Sequence, residues 1–116
     1  MLLEGKLEEG FEAVFEEAVD KGLSIIGSVS REVILYFMSE NYGVKKGSMG
    51  SDPSRIHEAL TGILGDGARF AEKCILSALC QLTGLEPMAV RDKDFVEAIK
   101  EIRRVYEEKR SRPPRI

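Results

Sequence analysis

Apolar positions along this chain return every three or four residues, the period of one helix face. Leu7, Phe11, Val14, Phe15 and Ala18 share one side of the first segment. Near the other end, Phe95, Ile99, Ile102 and Tyr106 repeat the pattern. Three further runs of the same period lie between them, parted by glycines. Each stripe must be covered by another, so the pattern predicts an all-α bundle of four to five helices.

The punctuation sets the expected boundaries. The first helix is expected from about Leu7 to Lys21, with acids in its early turns and Gly22 as its stop. Leu23–Gly27 reads either as a turn or as the start of the next helix. From Ser28 to Tyr42, the apolar residues Val29, Val33, Ile34, Tyr36, Phe37 and Met38 surround much of the circumference. That predicts a central helix packed on more than one side. A strand over Val33–Met38 lacks a second segment to pair with. Gly43 closes the helix and residues 44–51 form a loop. Asp52-Pro53 supplies an N-cap and an N1 proline for a third helix, with Ile56, Leu60, Ile63 and Leu64 inward. Gly65-Asp66-Gly67 makes a corner, with Asp66 expected to cap the fourth helix. Its inward set is Phe70, Ala71, Cys74, Ile75, Ala78, Leu79 and Leu82, ending before Gly84. A fifth helix opens at Asp92 or Lys93 and lasts to about Lys109, before Pro113-Pro114.

Length and composition narrow this to one domain over residues 1–116, with 43% hydrophobic and 32% charged residues. The longest strictly apolar run is Val33–Met38, far below a membrane span. Glu4 follows Met1-Leu2-Leu3 at once, so no signal peptide or transit sequence is expected, and the expected location is the cytoplasm. Net charge is −3, unevenly spread: residues 1–20 hold seven acids against Lys6, and residues 103–116 hold six bases against two acids. This polarity can steer two copies together, pair the chain's own ends, or draw the tail to an anion.

Candidate chemistry adds little. Cys74 and Cys80 would sit about 9 Å apart along one helix, too far for a disulfide, and read as buried small hydrophobes. His57 is the single histidine. It sits at the edge of the third-helix stripe, and none of its neighbours Asp52, Arg55 and Glu58 suits it for catalysis. The loop Gly43–Ser51 has glycines, serines and two lysines before a helix, yet lacks Gly-Lys-Ser/Thr and is followed by Asp52. It reads as a plain connection. The N-terminal glutamates read as a solvated surface. A helix-turn-helix drawn across the Gly65–Gly67 corner would present Arg69, Glu72, Lys73, Ser77 and Gln81, nearly balanced in charge.

Four stretches carry a resemblance: Gly22-Leu23-Ser24-Ile25-Ile26-Gly27-Ser28-Val29; Asn41-Tyr42-Gly43-Val44-Lys45; Leu60 through Leu64-Gly65-Asp66-Gly67-Ala68; and Ile75-Leu76 with Leu82-Thr83-Gly84-Leu85. Together they resemble the archaeal helical output domain named for nitrosopumilus, whose pattern is helix, Gly-hydrophobic-basic loop, helix, Gly-x-Gly-Ala corner, helix. The resemblance spans about residues 11–85 and leaves 86–116 as a helical extension with a basic tail. It implies a signalling or regulatory output role and supplies no catalytic residue.

The expected function is a non-catalytic regulatory or protein-interaction module, acting as a homodimer or on another protein. Its expected interface is Phe95, Ile99, Ile102 and Tyr106, whose stripe could cover the bundle or a second subunit. The acidic first helix of one copy would face the basic tail of the other. No cofactor, metal or catalytic residue is expected. The alternative is a nucleic-acid-binding regulator using Arg103, Arg104, Lys109, Arg110, Arg112 and Arg115.

Overall fold

The structure, a computed structural model, describes residues 10–111. Leu7, the acids before Gly10, Arg112, Arg115 and the proline pair lie outside them. The described residues form five α-helices: α1 (Phe11–Ile26), α2 (Ser28–Tyr42), α3 (Pro53–Leu64), α4 (Ala68–Thr83) and α5 (Phe95–Ser111). Short 3₁₀ turns at Met49–Ser51, Gly65–Gly67 and Pro87–Val90 punctuate the connections. The all-α expectation holds, and Val33–Met38 is helical.

The helix starts follow local chemistry. At α3, the Arg55 amide donates to Asp52 Oδ1 at 3.1 Å, with Pro53 at N1. At α5, the Glu97 amide donates to Asp94 Oδ1 at 2.8 Å and the Asp94 amide reaches back to Glu97 Oε1 at 3.4 Å. This reciprocal box moves the start of α5 to Phe95, past the expected Asp92 or Lys93. Asp66 does not cap α4, whose N-cap is Gly67 without a side-chain bond.

The expected stop at Gly22 is corrected. α1 runs through it, and Leu23–Ile26 is its last turn. Gly22 is buried where α1 crosses α4, and a Cβ on it would lie 2.7 Å from Ile75 Cα and N. It therefore lets two backbones touch. The break falls at Gly27, whose φ of 148° is a conformation that residues with a Cβ rarely adopt. Gly50 acts like Gly22 on a smaller scale: its absent Cβ would meet Glu12 Cα at 2.9 Å, seating the Met49–Ser51 turn on α1.

The core gathers along the α1–α4 contact, the most extensive among the described elements. Phe11, Phe15 and Leu23 of α1 join Leu60 of α3, Ile75 and Leu79 of α4, and Ile99, Ile102 and Tyr106 of α5. Phe11 stacks on Phe15 and tilts against Tyr106, each with ring centroids 6.0 Å apart. α5 lies across α3, α4 and α1.

α2 is not central. It packs on α1 and α3, and of its side chains only Ile34 and Met38 are buried. Phe70 is also corrected: it points outward from α4, 58% exposed. The remaining inward set of α4 is buried, with Leu82 half-buried.

Candidate functional site

The expected interface lies inside the protein. Phe95, Ile99, Ile102 and Tyr106 are 6%, 0%, 1% and 1% exposed, closed over by the chain's own helices. The α5 stripe had two possible covers, and the bundle takes it. None of the four is free to meet a second subunit.

The basic residues of α5 mostly serve their own chain. Arg103 donates to the Gly50 carbonyl at 3.0 Å and to Glu12 Oε2 at 3.2 Å, with its guanidinium 5.6 Å from the Phe11 ring centroid. The acidic first helix and the basic last helix thus meet within one chain, by way of Glu12 and Arg103. Arg104 bonds Glu101 at 2.7 Å and Glu108 at 3.2 Å, and Arg110 bonds Glu107 at 2.9 Å. The Arg104 hydrogen bond and charge hold the Glu101 carboxyl below its usual range, and the same bond raises Arg104. Lys109 is exposed. Arg112 and Arg115 fall outside the described residues. A nucleic acid drawn to Arg103, Arg104 or Arg110 would have to displace carboxylates already in place, which weakens the phosphate-binding alternative.

His57 has a partner that no sequence neighbour suggested. Its Nδ1 meets Glu72 Oε2 at 2.5 Å, joining α3 to α4 fifteen residues away. The Glu72 side chain is 10% exposed and that of His57 is 52% exposed. The imidazole ring lies 6.4 Å from that of Phe95. The pair opens on a shallow groove lined by Thr61, Asp66 and Arg69. Such a carboxylate orients an imidazole, which general bases and metal ligands both need. Yet no group of three or more His, Cys, Asp or Glu among the described residues is placed to hold a metal. Helix wheels could show Glu72 only as an outer residue of α4. The α3–α4 crossing that brings it to His57 is a tertiary fact.

Both cysteines are free and buried. Burial pushes the Cys74 thiol up, and burial with the nearby Glu86 carboxylate does the same to Cys80. Neither has the lowered pKa of a reactive thiol. In the 43–51 loop, the Gly47 amide donates to the Glu16 carboxylate of α1. A carboxylate already occupies the amide that a bound phosphate would need.

The distinctive surface is the outer side of α2. Val29, Val33, Tyr36 and Phe37 are 73%, 47%, 60% and 39% exposed. They fall at i, i+4, i+7 and i+8, a stripe covering about 100° of the helix opposite Ile34 and Met38. Ile25, in the turn before Gly27, is 63% exposed. The Tyr36 and Phe37 rings meet edge-on, with centroids 5.4 Å apart. The apolar residues around this helix predict a central position, and the structure leaves these four outside. Two apolar faces on one helix have two explanations, burial on both sides or one side kept for another molecule, and periodicity does not separate them. Compared with family models, with curated proteins and with solved structures, the chain shows no match.

Proposed function

We propose that this protein is a non-catalytic interaction module that docks a protein surface with the outer face of α2. The observation that carries this reading is the exposed stripe Val29, Val33, Tyr36 and Phe37. Isolated exposed apolar residues are ordinary on any protein. A contiguous helical stripe that includes two aromatic rings is not, and such patches mark interaction sites. Tyrosine and phenylalanine are enriched at interfaces, and tyrosine is among the residues that dominate their energetics. The buried, protonated thiols and the acid-bound arginines give no support to a reactive centre. The output-domain resemblance of residues 11–85 agrees with a regulatory role exercised through contact.

The test is position-specific photo-crosslinking in cells of origin. A photoreactive residue at Val33 should trap one discrete protein, which then forms a stoichiometric complex with the purified chain. The same probe at Lys100, exposed on α5, should not. The complex should be lost in the Val29→Glu, Phe37→Glu double variant, with its helical signal unchanged. Equal trapping at both positions, or none at Val33, would overturn the proposal.

A further inference from the structure

We infer that the occupant of this face is a second copy of the same chain, with its α2 packed antiparallel on the first across a two-fold axis. This rests on the docking role proposed for α2 and names the partner. The N-cap of α2 is Gly27, which offers no side-chain cap, and no acid stands in the first turn. No base stands in the last turn. Three other described helices have an acid at their start: Asp52 caps α3, and Glu12 and Glu97 stand in the first turns of α1 and α5, while α4 begins as bare as α2. Arg55 Nη1 donates to the Tyr42 carbonyl at 3.4 Å and serves the C-terminal pole, so the N-terminal pole is the one left without a capping side chain or a first-turn acid.

The one acid that lies along the stripe is at the far pole. Glu40, exposed, is four residues beyond Tyr36 and seven beyond Val33, so it continues the same face. At the C-terminal end of its own helix a carboxylate is badly placed. Antiparallel pairing reverses that. The stripe from Val29 to Glu40 has its midpoint between Ile34 and Leu35, and a two-fold axis there sets each Glu40 against the first turn of the other α2. Free amides of Ser28 to Ser30 then face a carboxylate, twice, by symmetry. Val33 and Tyr36 fall nearest the axis and bury one another, as an isologous contact requires. Parallel pairing would instead set Glu40 against Glu40 and align the dipoles. Charge therefore selects both the partner and its direction.

Sedimentation equilibrium with cysteine cross-linking tests this on the full chain. The wild type should dimerise in a concentration-dependent manner. Val33→Glu with Phe37→Glu should weaken that by about thirtyfold or more, the effect of losing one anchoring residue. Val29→Cys chains mixed with Glu40→Cys chains should form a mixed disulfide, and neither variant alone should. Cross-linking of Val29→Cys to itself at the rate of the mixture would overturn the antiparallel arrangement. A monomer at every concentration would overturn the second copy. If the Val33 probe still traps a different protein, the docking role survives that result; if it traps none, both fall.

Discussion

A side-chain carbon on Gly22 would lie 2.7 Å from Ile75 Cα, a separation that forces one backbone to move. The absence of that carbon lets α1 and α4 form the broadest contact among the described elements. Gly22→Ala brings two opposed effects. Alanine favours an exposed helix interior by about 1 kcal/mol. Overpacking against a backbone that cannot rotate away costs about 1–3 kcal/mol, occasionally more. The steric term wins because the obstacle is main chain. The urea midpoint of Gly22→Ala should fall well below that of Gly10→Ala, which has nothing within 4 Å of its Cβ position and loses only a glycine N-cap preference.

Arg103 ties three segments with one guanidinium, reaching α1 through Glu12 and Phe11 and the Met49–Ser51 turn through the Gly50 carbonyl. Its side chain is 39% exposed, so solvent screens the ion pair and the charge contributes little by itself. A double-mutant cycle between Glu12→Gln and Arg103→Gln should return a coupling of about 0.2–1 kcal/mol that shrinks with added salt. Arg103→Ala should cost more than this coupling, because it also loses the carbonyl bond and the stacking on Phe11. A loss equal to the coupling alone would contradict that division.

The fold was legible wherever a helix has one apolar face. α3 could be placed from Asp52-Pro53, and the α4 exit from Gly84, since caps act within a few residues. Gly22 was misread because glycine stops helices and also thins them, and only the presence of Ile75 opposite decides which. The α5 stripe and the α2 stripe part from expectation in opposite directions for a shared reason. Periodicity says that a face must be covered and is silent on what covers it. Phe95, Ile99, Ile102 and Tyr106 found their cover inside the chain; Val29, Val33, Tyr36 and Phe37 did not. The His57–Glu72 pair depends on a helix crossing that no local pattern encodes.

That pair yields a prediction about the α3–α4 junction. Glu72 is nearly enclosed, so removing the imidazole leaves a carboxylate short of a partner. His57→Ala should destabilise the protein by about 1–3 kcal/mol, the penalty of an unsatisfied buried polar group. Replacing both at once, His57→Leu with Glu72→Met, removes the polar requirement and should recover most of that loss. Chemical denaturation of the two variants checks the contrast. If the double variant is no better than His57→Ala, the pair is held for something other than mutual satisfaction.

The thiols give a pH dependence whose sign is fixed. Cys74 and Cys80 have folded-state pKa values above the ordinary thiol range, chiefly through burial. The folded protein therefore keeps those protons at pH values where the unfolded chain releases them. Their contribution is fully present below the unfolded thiol pKa of about 8.5 and is lost as pH rises through the folded values. Urea midpoints measured from pH 7 to pH 10 should decline more steeply for the wild type than for the Cys74→Ala, Cys80→Ala variant. Parallel curves would contradict the assignment.

α2 offers an internal comparison, since one helix carries two apolar faces with opposite expected behaviour. Ile34 and Met38 are 3% and 0% exposed and anchor α2 to α1 and α3. Truncating either to alanine should cost about 2–5 kcal/mol at any protein concentration. Val33 and Tyr36 lie on the outer face, and their alanine variants should stay within about 0.5 kcal/mol of the wild type in dilute monomer. If the outer face is covered by a second copy, the difference should grow with concentration, because association stabilises only the wild type by mass action. Thermal unfolding over a hundredfold concentration range separates the two faces. A concentration-independent loss at Val33 or Tyr36 would place that residue in the folding core after all. A rising midpoint for the wild type, absent in both outer variants, assigns the stripe to association.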